Sequence, residues 1–449
     1  MTFLSSLKFT KSLVFPKTEK KSSARKSIIG AMFCIGLSLV PMILVISISN
    51  GLINGMTQRI IGLSSGHLKA YVASSIPQVK NAENFCQYSK DVLNVRGITA
   101  SYPEIIISAL GAGKNVRSGI EIRAMQSDIF QVNESFRTFF EVKEGNLSHF
   151  KDNEKVCVIG DKLAQDLNLK TGDSLKIITT RSSKKSNYIK AEEDSGEKST
   201  ARIVPKLTSL KIVAIVSCGY QELDQFWVFV PLSTAYNNLS LENADYGILM
   251  ECENPFSTEI VRTQLDCSRF FGRYANVYRW DQIHSAEFEN FSSTKVMLVF
   301  VMIMIILVAS VNISSAIVML VMERQKEIAI LKSIGGSPRG ITLSFLMAGI
   351  ICGGGGIIIG VPIGLLFAVF SNQIINSIDT LINFVLKIFH GSSFHLMNPA
   401  YYLQDIPIQI PVLQIVLIIL GVLVLSAIVS YFPARKAGKE KPLDILRKV

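Results

Sequence analysis

Residues 296–321 read VMLVFVMIMIILVASVNISSAIVMLV, followed at 322–338 by MERQKEIAILKSIGGSP. The first stretch contains no Asp, Glu, Lys or Arg. A helix needs about 20 apolar residues to cross a bilayer, and one charge at its centre costs about 2.5–3.5 kcal/mol on insertion scales. The stretch therefore reads as a membrane span. Residues 28–49, 341–371 and 411–432 are similarly apolar and equally free of charge, which predicts four spans. Composition agrees: 49% of the 449 residues are hydrophobic, only 18% are charged, and mean hydropathy is positive at +0.35. Soluble domains carry about 25% charged residues. The apolar content excludes a disordered chain, and 7 Cys in this length exclude a small disulfide scaffold.

The flanking charges give orientation. The leader, residues 1–27, holds Lys8, Lys11, Lys17, Lys20, Lys21, Arg25 and Lys26 against Glu19. Residues 322–340 hold Arg324, Lys326, Lys332 and Arg339 against Glu323 and Glu327. The tail, residues 433–449, holds six cations (Arg435, Lys436, Lys439, Lys441, Arg447 and Lys448) against Glu440 and Asp444. Residues 372–410 have only Lys387 beside Asp379 and Asp405. By the positive-inside rule both termini and the short second loop are cytoplasmic, while residues 50–295 and 372–410 face outwards. The net charge of +11 is thus an orientation signal beside an anionic leaflet, not a footprint for nucleic acid. The leader and the 28–49 run exceed the usual dimensions of a cleaved signal peptide, so a retained anchor is expected.

The large hydrophilic insertion at 50–295 has mixed α/β patterns. Ile120–Ala124 alternates as a strand after the turn Gly111-Ala112-Gly113-Lys114-Asn115. Val156–Gly160 reads as a short buried strand, followed by a helical stretch from Asp161 to Leu169. Thr171-Gly172-Asp173 then turns into a strand over Ser174–Thr179. Leu210–Val216 and Trp227–Val230 read as further strands. Between Thr180 and Val204 the chain is polar and charged, which fits either a surface loop or a protruding arm that touches a partner.

Catalytic patterns are wanting. Gly113-Lys114-Asn115 and Gly438-Lys439-Glu440 lack the upstream Gly and the hydroxyl residue of a phosphate-binding loop, so ATP should be bound elsewhere. The five His (His67, His149, His284, His390 and His395) include no helical zinc pair, and no metal or cofactor is expected. Cys34 and Cys352 lie in spans. Cys86, Cys157, Cys218, Cys252 and Cys267 show no Cys-x-x-Cys spacing, although an oxidising compartment would allow a disulfide or two. Gly62-Leu63-Ser64-Ser65-Gly66 has the spacing of a nucleophile elbow but lacks a preceding strand, so it reads as a chance match. No enzyme is expected.

The cytoplasmic stretch 322–338 is more informative. On a helix Glu323, Lys326 and Glu327 share a face, Ile328 and Leu331 lie on another, and Gly335-Gly336 with Pro338 ends it in a reversal. Such a helix could be an interfacial anchor or a coupling helix seated in a groove of a partner that supplies force. In the third span Gly356, Gly360 and Gly364 recur every four residues, the spacing that lets helices approach closely.

Together these residues resemble the FtsX-like permease family of type VII ABC transporters. Glu323–Gly335 looks like its coupling-helix signature, and Tyr431–Ala437 with Pro442–Arg447 looks like its C-terminal signature. Further segments resemble the lipoprotein-releasing (Lol-type) permeases. These are Ser49-Asn50-Gly51-Leu52 with Ile61-Gly62-Leu63 and His67-Leu68, then Val216–Asp224, and Tyr401–Pro407 before the last span.

The resemblance implies a four-helix membrane protein of the bacterial inner membrane, with a large α/β (MacB-like) periplasmic domain between helices 1 and 2. Its expected partners are a cytoplasmic ABC ATPase dimer, a second permease copy or paralogue, a lipoprotein substrate, a periplasmic lipoprotein carrier and membrane lipids, with no nucleic acid. Glu323, Arg324, Lys326, Glu327, Ile328, Leu331 and Gly335 would couple to the ATPase. Met42, Val45, Ile48, Met297, Val301 and Met302 would line an apolar cavity for acyl chains. Arg181, Tyr188, Ile189 and Pro205 mark the place of an arm that meets the carrier, here longer and more charged than the family's apolar hook. Two alternatives share the topology: an efflux permease for peptides or drugs, and a regulator that transmits ATPase motion to cell-wall hydrolases.

Overall fold

The computed structural model describes residues 10, 23–114, 116–183, 202–254, 258–267, 271, 274–388 and 408–439. Two compact units emerge. One contains the chain up to Ile53 together with Asn290–Leu396 and the residues from Ile406 onwards, and the other is chiefly Asn54–Glu289. The α/β unit is therefore inserted between the first and second apolar helices.

Among the described residues the membrane unit holds α1 (Ser23–Arg59) as far as Ile53, α2 (Ser285–Glu323) from Asn290 onwards, α3 (Gln325–Ser333), α4 (Pro338–Val369), α5 (Ser371–Ile388) and α6 (Val412–Lys439). Among the described residues α1, α2, α4 and α6 are long and apolar enough to cross a membrane. Small residues set their packing. A Cβ on Gly360 would lie 2.8 Å from Gly36 Cα of α1, and one on Gly356 would lie 2.6 Å from Ile35 Cβ. The glycine ladder is thus the seam along which α4 lies against α1. A second row, Gly349 and Gly353, faces Ser430 and Ser426 of α6. The long segment expected as a loop after the third span instead starts with helix α5, because apolar residues recur there at helical spacing from Ile374 to Ile388.

Among the described residues the inserted unit is built on a ten-stranded mixed sheet. Its strands are β1 (Leu68–Val72), β2 (Ile98–Ala112), β3 (Arg117–Met125), β4 (Glu141–Gly145), β5 (Val156–Gly160), β6 (Ser174–Ser183), β7 (Arg202–Ser217), β8 (Trp227–Pro231), β9 (Ala244–Cys252) and β10 (Ala275–Arg279). Their order is β10-β1-β9-β2-β3-β8-β5-β7-β4, with β6 paired to both β2 and β7. β3–β8 and β5–β7 are parallel, whereas the other pairs are antiparallel. Alternation along β8 shows how both faces are used. Val228 and Val230 join a largely aliphatic core with Ile105, Ile122, Ile248 and the ring of Phe85. Trp227 and Phe229 point the other way, into edge-on and tilted aromatic contacts that include Phe130, Phe136 and Phe140.

Candidate functional site

Three places in the chain bear on function, and each is built from its own elements. The first is a cavity of about 340 Å³ between α1, α2 and α6. Its walls are Met42 and Ile46 of α1, Leu298, Val299, Met302, Ile303 and Ile306 of α2, and Leu417, Ile418 and Gly421 of α6. The residues follow helical spacing, so each helix gives one stripe. One end of the cavity is polar: Ser49, Asn50, Lys295 and Gln414 gather there, and the Asn50 amide donates to Gln414 Oε1 at 2.5 Å. Beyond the other end the helices close, leaving about 10 Å³ among residues that include Ile35, Leu39, Ile313 and Val422. The lining thus passes from an apolar interior to one polar end.

Of the six residues expected to line such a cavity, only Met42 and Met302 do so. Val45, Met297 and Val301 face outwards with 40, 68 and 43% of their surface exposed, and Ile48 is half-buried outside the lining. The reason is angular. At 100° per residue, positions 45 and 48 fall off the 42–46–49 stripe, and 297 and 301 fall off the 295–298–302–306 stripe. In a helix apolar all round, composition gives no sign of which side is inner.

The second place is α3. Ile328 and Ala329 are fully buried, Leu331 is half-buried, and Glu323, Lys326 and Glu327 are exposed. Arg324 forms an ion pair with Glu327. Gly335, with φ +94°, and Gly336 end the helix; a Cβ on Gly336 would come within 2.6 Å of Leu331 O. Lys332 Nζ donates to Gly438 O at 2.8 Å, tying α3 to the end of α6. The apolar side chains left outward are Ile330 and Ile334, at 55 and 82% exposure, rather than Ile328 or Leu331. Ile328 and Ala329 are spent on the unit's own core, and the outward face combines charge with two isoleucines.

The third place, in the inserted unit, went unseen in the sequence. Glu104 on β2 is fully buried between two cations. Lys69 Nζ donates to its Oε2 at 2.7 Å, and Arg123 Nε donates to its Oε1 at 2.5 Å. Arg123 also donates to Leu63 O at 2.5 Å and stacks its guanidinium 4.4 Å from the Trp227 ring centroid. Burial alone would raise the Glu104 pKa, yet the two cations outweigh it and hold the carboxyl below its ordinary value. The network clamps the turn that follows α1. That turn is a π-helical segment, Ile60–Ser65, leading through Gly66 at φ +62° into β1. The Gly62–Gly66 motif thus sits on a helix-to-strand turn, the reverse of a nucleophile elbow. Nearby, Arg59 Nε donates to Cys218 O at 2.6 Å, and the Cys218 amide donates to Asp224 of the Val216–Asp224 segment. His67 Nδ1 accepts from the Cys252 amide at 2.8 Å, and burial lowers its pKa. These resembling segments are therefore structural joints.

For the arm, β6 and β7 pair as far as Ser183 with Arg202, which puts Arg181 opposite Val204 and Pro205 opposite Thr180. Tyr188 and Ile189 lie outside the described residues, as do His390, His395, Tyr401–Pro407 and Pro442–Arg447. Cys86, Cys157, Cys218 and Cys252 are free thiols.

Known proteins match this arrangement along nearly its whole length. The model of the MacB-like periplasmic core domain matches residues 28–266, and that of the FtsX-like permease C-terminal region matches residues 299–442. The lipoprotein-releasing system transmembrane protein LolC of Neisseria meningitidis is 24% identical over 421 residues, covering 92% of each chain. LolE of Haemophilus influenzae is 21% identical over 433 residues, covering 95% of this chain and 96% of its own. Among solved structures, the extracellular domain of the transporter YknZ from Gram-positive bacteria covers 47% of this chain and 99% of its own, with 12% identity and a TM-score of 0.30.

Proposed function

Since the chain belongs to the family of ABC transporter permeases that join a MacB-like periplasmic core domain to an FtsX-like permease region, we propose that it is a permease subunit of an ATP-driven system that extracts lipoproteins from the bacterial inner membrane. The lipoprotein-releasing relatives, matched over more than nine-tenths of the chain, support this reading. The observation that carries it is the apolar cavity between α1, α2 and α6 with its polar mouth. Drawing an acyl chain into water costs about 0.8 kcal/mol per CH₂, so extraction needs an apolar shelter that ends where the polar linkage and polypeptide begin. The cavity has that polarity profile: methionine and aliphatic walls below, with two amides, a hydroxyl and a lysine at the mouth.

Both termini and α3 are cytoplasmic in this proposal, with the inserted unit and cavity mouth on the periplasmic side, following the flanking charges. ATP is hydrolysed by a separate ATPase dimer, and the outward residues of α3 and its two ends (Glu323, Lys326, Glu327, Ile330 and Ile334) seat in it. The outward apolar faces of α1 and α2 suit a second permease copy or paralogue within surrounding lipid. A periplasmic lipoprotein carrier meets the chain at the segment that joins β6 to β7, next to Arg181 and Pro205.

Filling the cavity tests the reading. In the reconstituted transporter, Met302→Trp and Leu298→Trp should abolish release of a triacylated lipoprotein, whereas Val416→Trp, on the exposed side of α6 away from the cavity, should leave release within about twofold. Normal release with the cavity filled would overturn the assignment. Loss of peptide export with intact lipoprotein release would instead favour an efflux permease.

A further inference from the structure

Among the described residues, helix α5 has an exposed apolar face. Ile378, Leu381, Phe384, Val385 and Ile388 are exposed to between 38 and 66%, and at 100° per residue they fall in one contiguous stripe. The charged residues, Asp379 and Lys387, lie on the other side with Asn376, Thr380 and Asn383. An apolar stripe of this size is not left to water without reason.

Position in the chain says what covers it. Helix α4 carries no Asp, Glu, Lys or Arg after Arg339 and stays apolar through its last turn, where Leu366, Phe367 and Val369 are exposed. The chain then turns at Phe370, and α5 begins at Ser371. The first turn of α5 is therefore held at the depth where a spanning helix leaves the hydrocarbon. We propose that α5 is an interfacial helix whose Leu381–Phe384–Ile388 side is embedded at the headgroup–acyl boundary of the bilayer, with Asp379 and Lys387 in the headgroup layer. One acid and one base offer no net attraction to anionic lipid, so apolar burial rather than charge holds it there. The proposal extends the membrane reading and does not depend on what the transporter carries.

The test uses the full chain reconstituted in vesicles of phosphatidylethanolamine and phosphatidylglycerol, with and without brominated acyl chains, which quench tryptophan on contact. The native chain's two tryptophans provide the baseline. Phe384→Trp and Leu381→Trp should each add blue-shifted fluorescence that brominated lipid quenches by at least half, unchanged by 0.5 M salt or by the phosphatidylglycerol fraction. Asn376→Trp, on the opposite side, should add fluorescence quenched much less. Equal quenching of the two sides would overturn the proposal. A blue shift at 384 without quenching would also overturn it, because protein rather than lipid would then cover the stripe. ATPase activity of the reconstituted complex checks that each variant is assembled.

Discussion

Glu104 shows how much rests on one side chain of the inserted unit. It is fully buried, Lys69 and Arg123 neutralise it, and Arg123 uses its remaining donors on the carbonyls of Leu63 and Ser64. Removing one member of such a network leaves buried charge uncompensated, which costs about 3–5 kcal/mol. Glu104→Gln should lower unfolding stability by about that much, read by urea unfolding in detergent with tryptophan fluorescence; a loss under about 1 kcal/mol would show that the network carries little. The pH dependence follows from the sign of the shift. The folded carboxyl has a lowered pKa, so its contribution is present above the unfolded value of about 4.3 and is lost as pH falls through the folded one. The wild type should therefore lose stability on acidification more steeply than Glu104→Gln. None of this was legible in the sequence. Lys69, Glu104 and Arg123 lie on three strands, and only the pairing of the sheet brings them together.

At the scale of elements, local pattern carried further. The strand readings at Val156–Gly160 and Trp227–Val230 fall on β5 and β8, and the helical reading from Asp161 falls on the helix Asp161–Leu167. β2 was missed because Pro103 and Glu104 interrupt its apolar run. The structure nevertheless keeps Pro103 in the ladder opposite Ile248 and gives Glu104 its cations. The Gly356–Gly360–Gly364 spacing pointed to a seam, and the structure supplies the partner, Ile35 to Ile43 of α1. Overpacking a close seam costs about 1–3 kcal/mol. Gly360→Leu should therefore lower the thermal unfolding midpoint in detergent, while Gly354→Leu, whose Cβ would meet nothing within 4 Å, should not. On α3, Glu327→Lys and Ile330→Asp should lose the co-purifying ATPase without loss of thermal stability, because both side chains are exposed. Ile328→Asp should lose both, since Ile328 is buried in the membrane unit's own core. Retention of a fully coupled ATPase by Glu327→Lys with Ile330→Asp would refute the docking role of that face.

For the molecule as a whole, the number of helices apolar enough to span, the insertion point of the α/β unit and the distribution of charge are all readable along the chain. These follow from transfer free energies that are nearly additive along the chain, so a run without charge reads the same whatever it later packs against. Tertiary structure alone decided which side of each apolar helix is inner. It put Met42 and Met302 on the cavity and turned Val45, Met297 and Val301 outwards. It also spent Ile328 inside the membrane unit and left Ile330 exposed. Those choices depend on neighbours distant in sequence: Gly36 admits α4, and Gln414 on α6 meets Asn50. A helix hydrophobic on every side has no preferred face until another surface is brought against it.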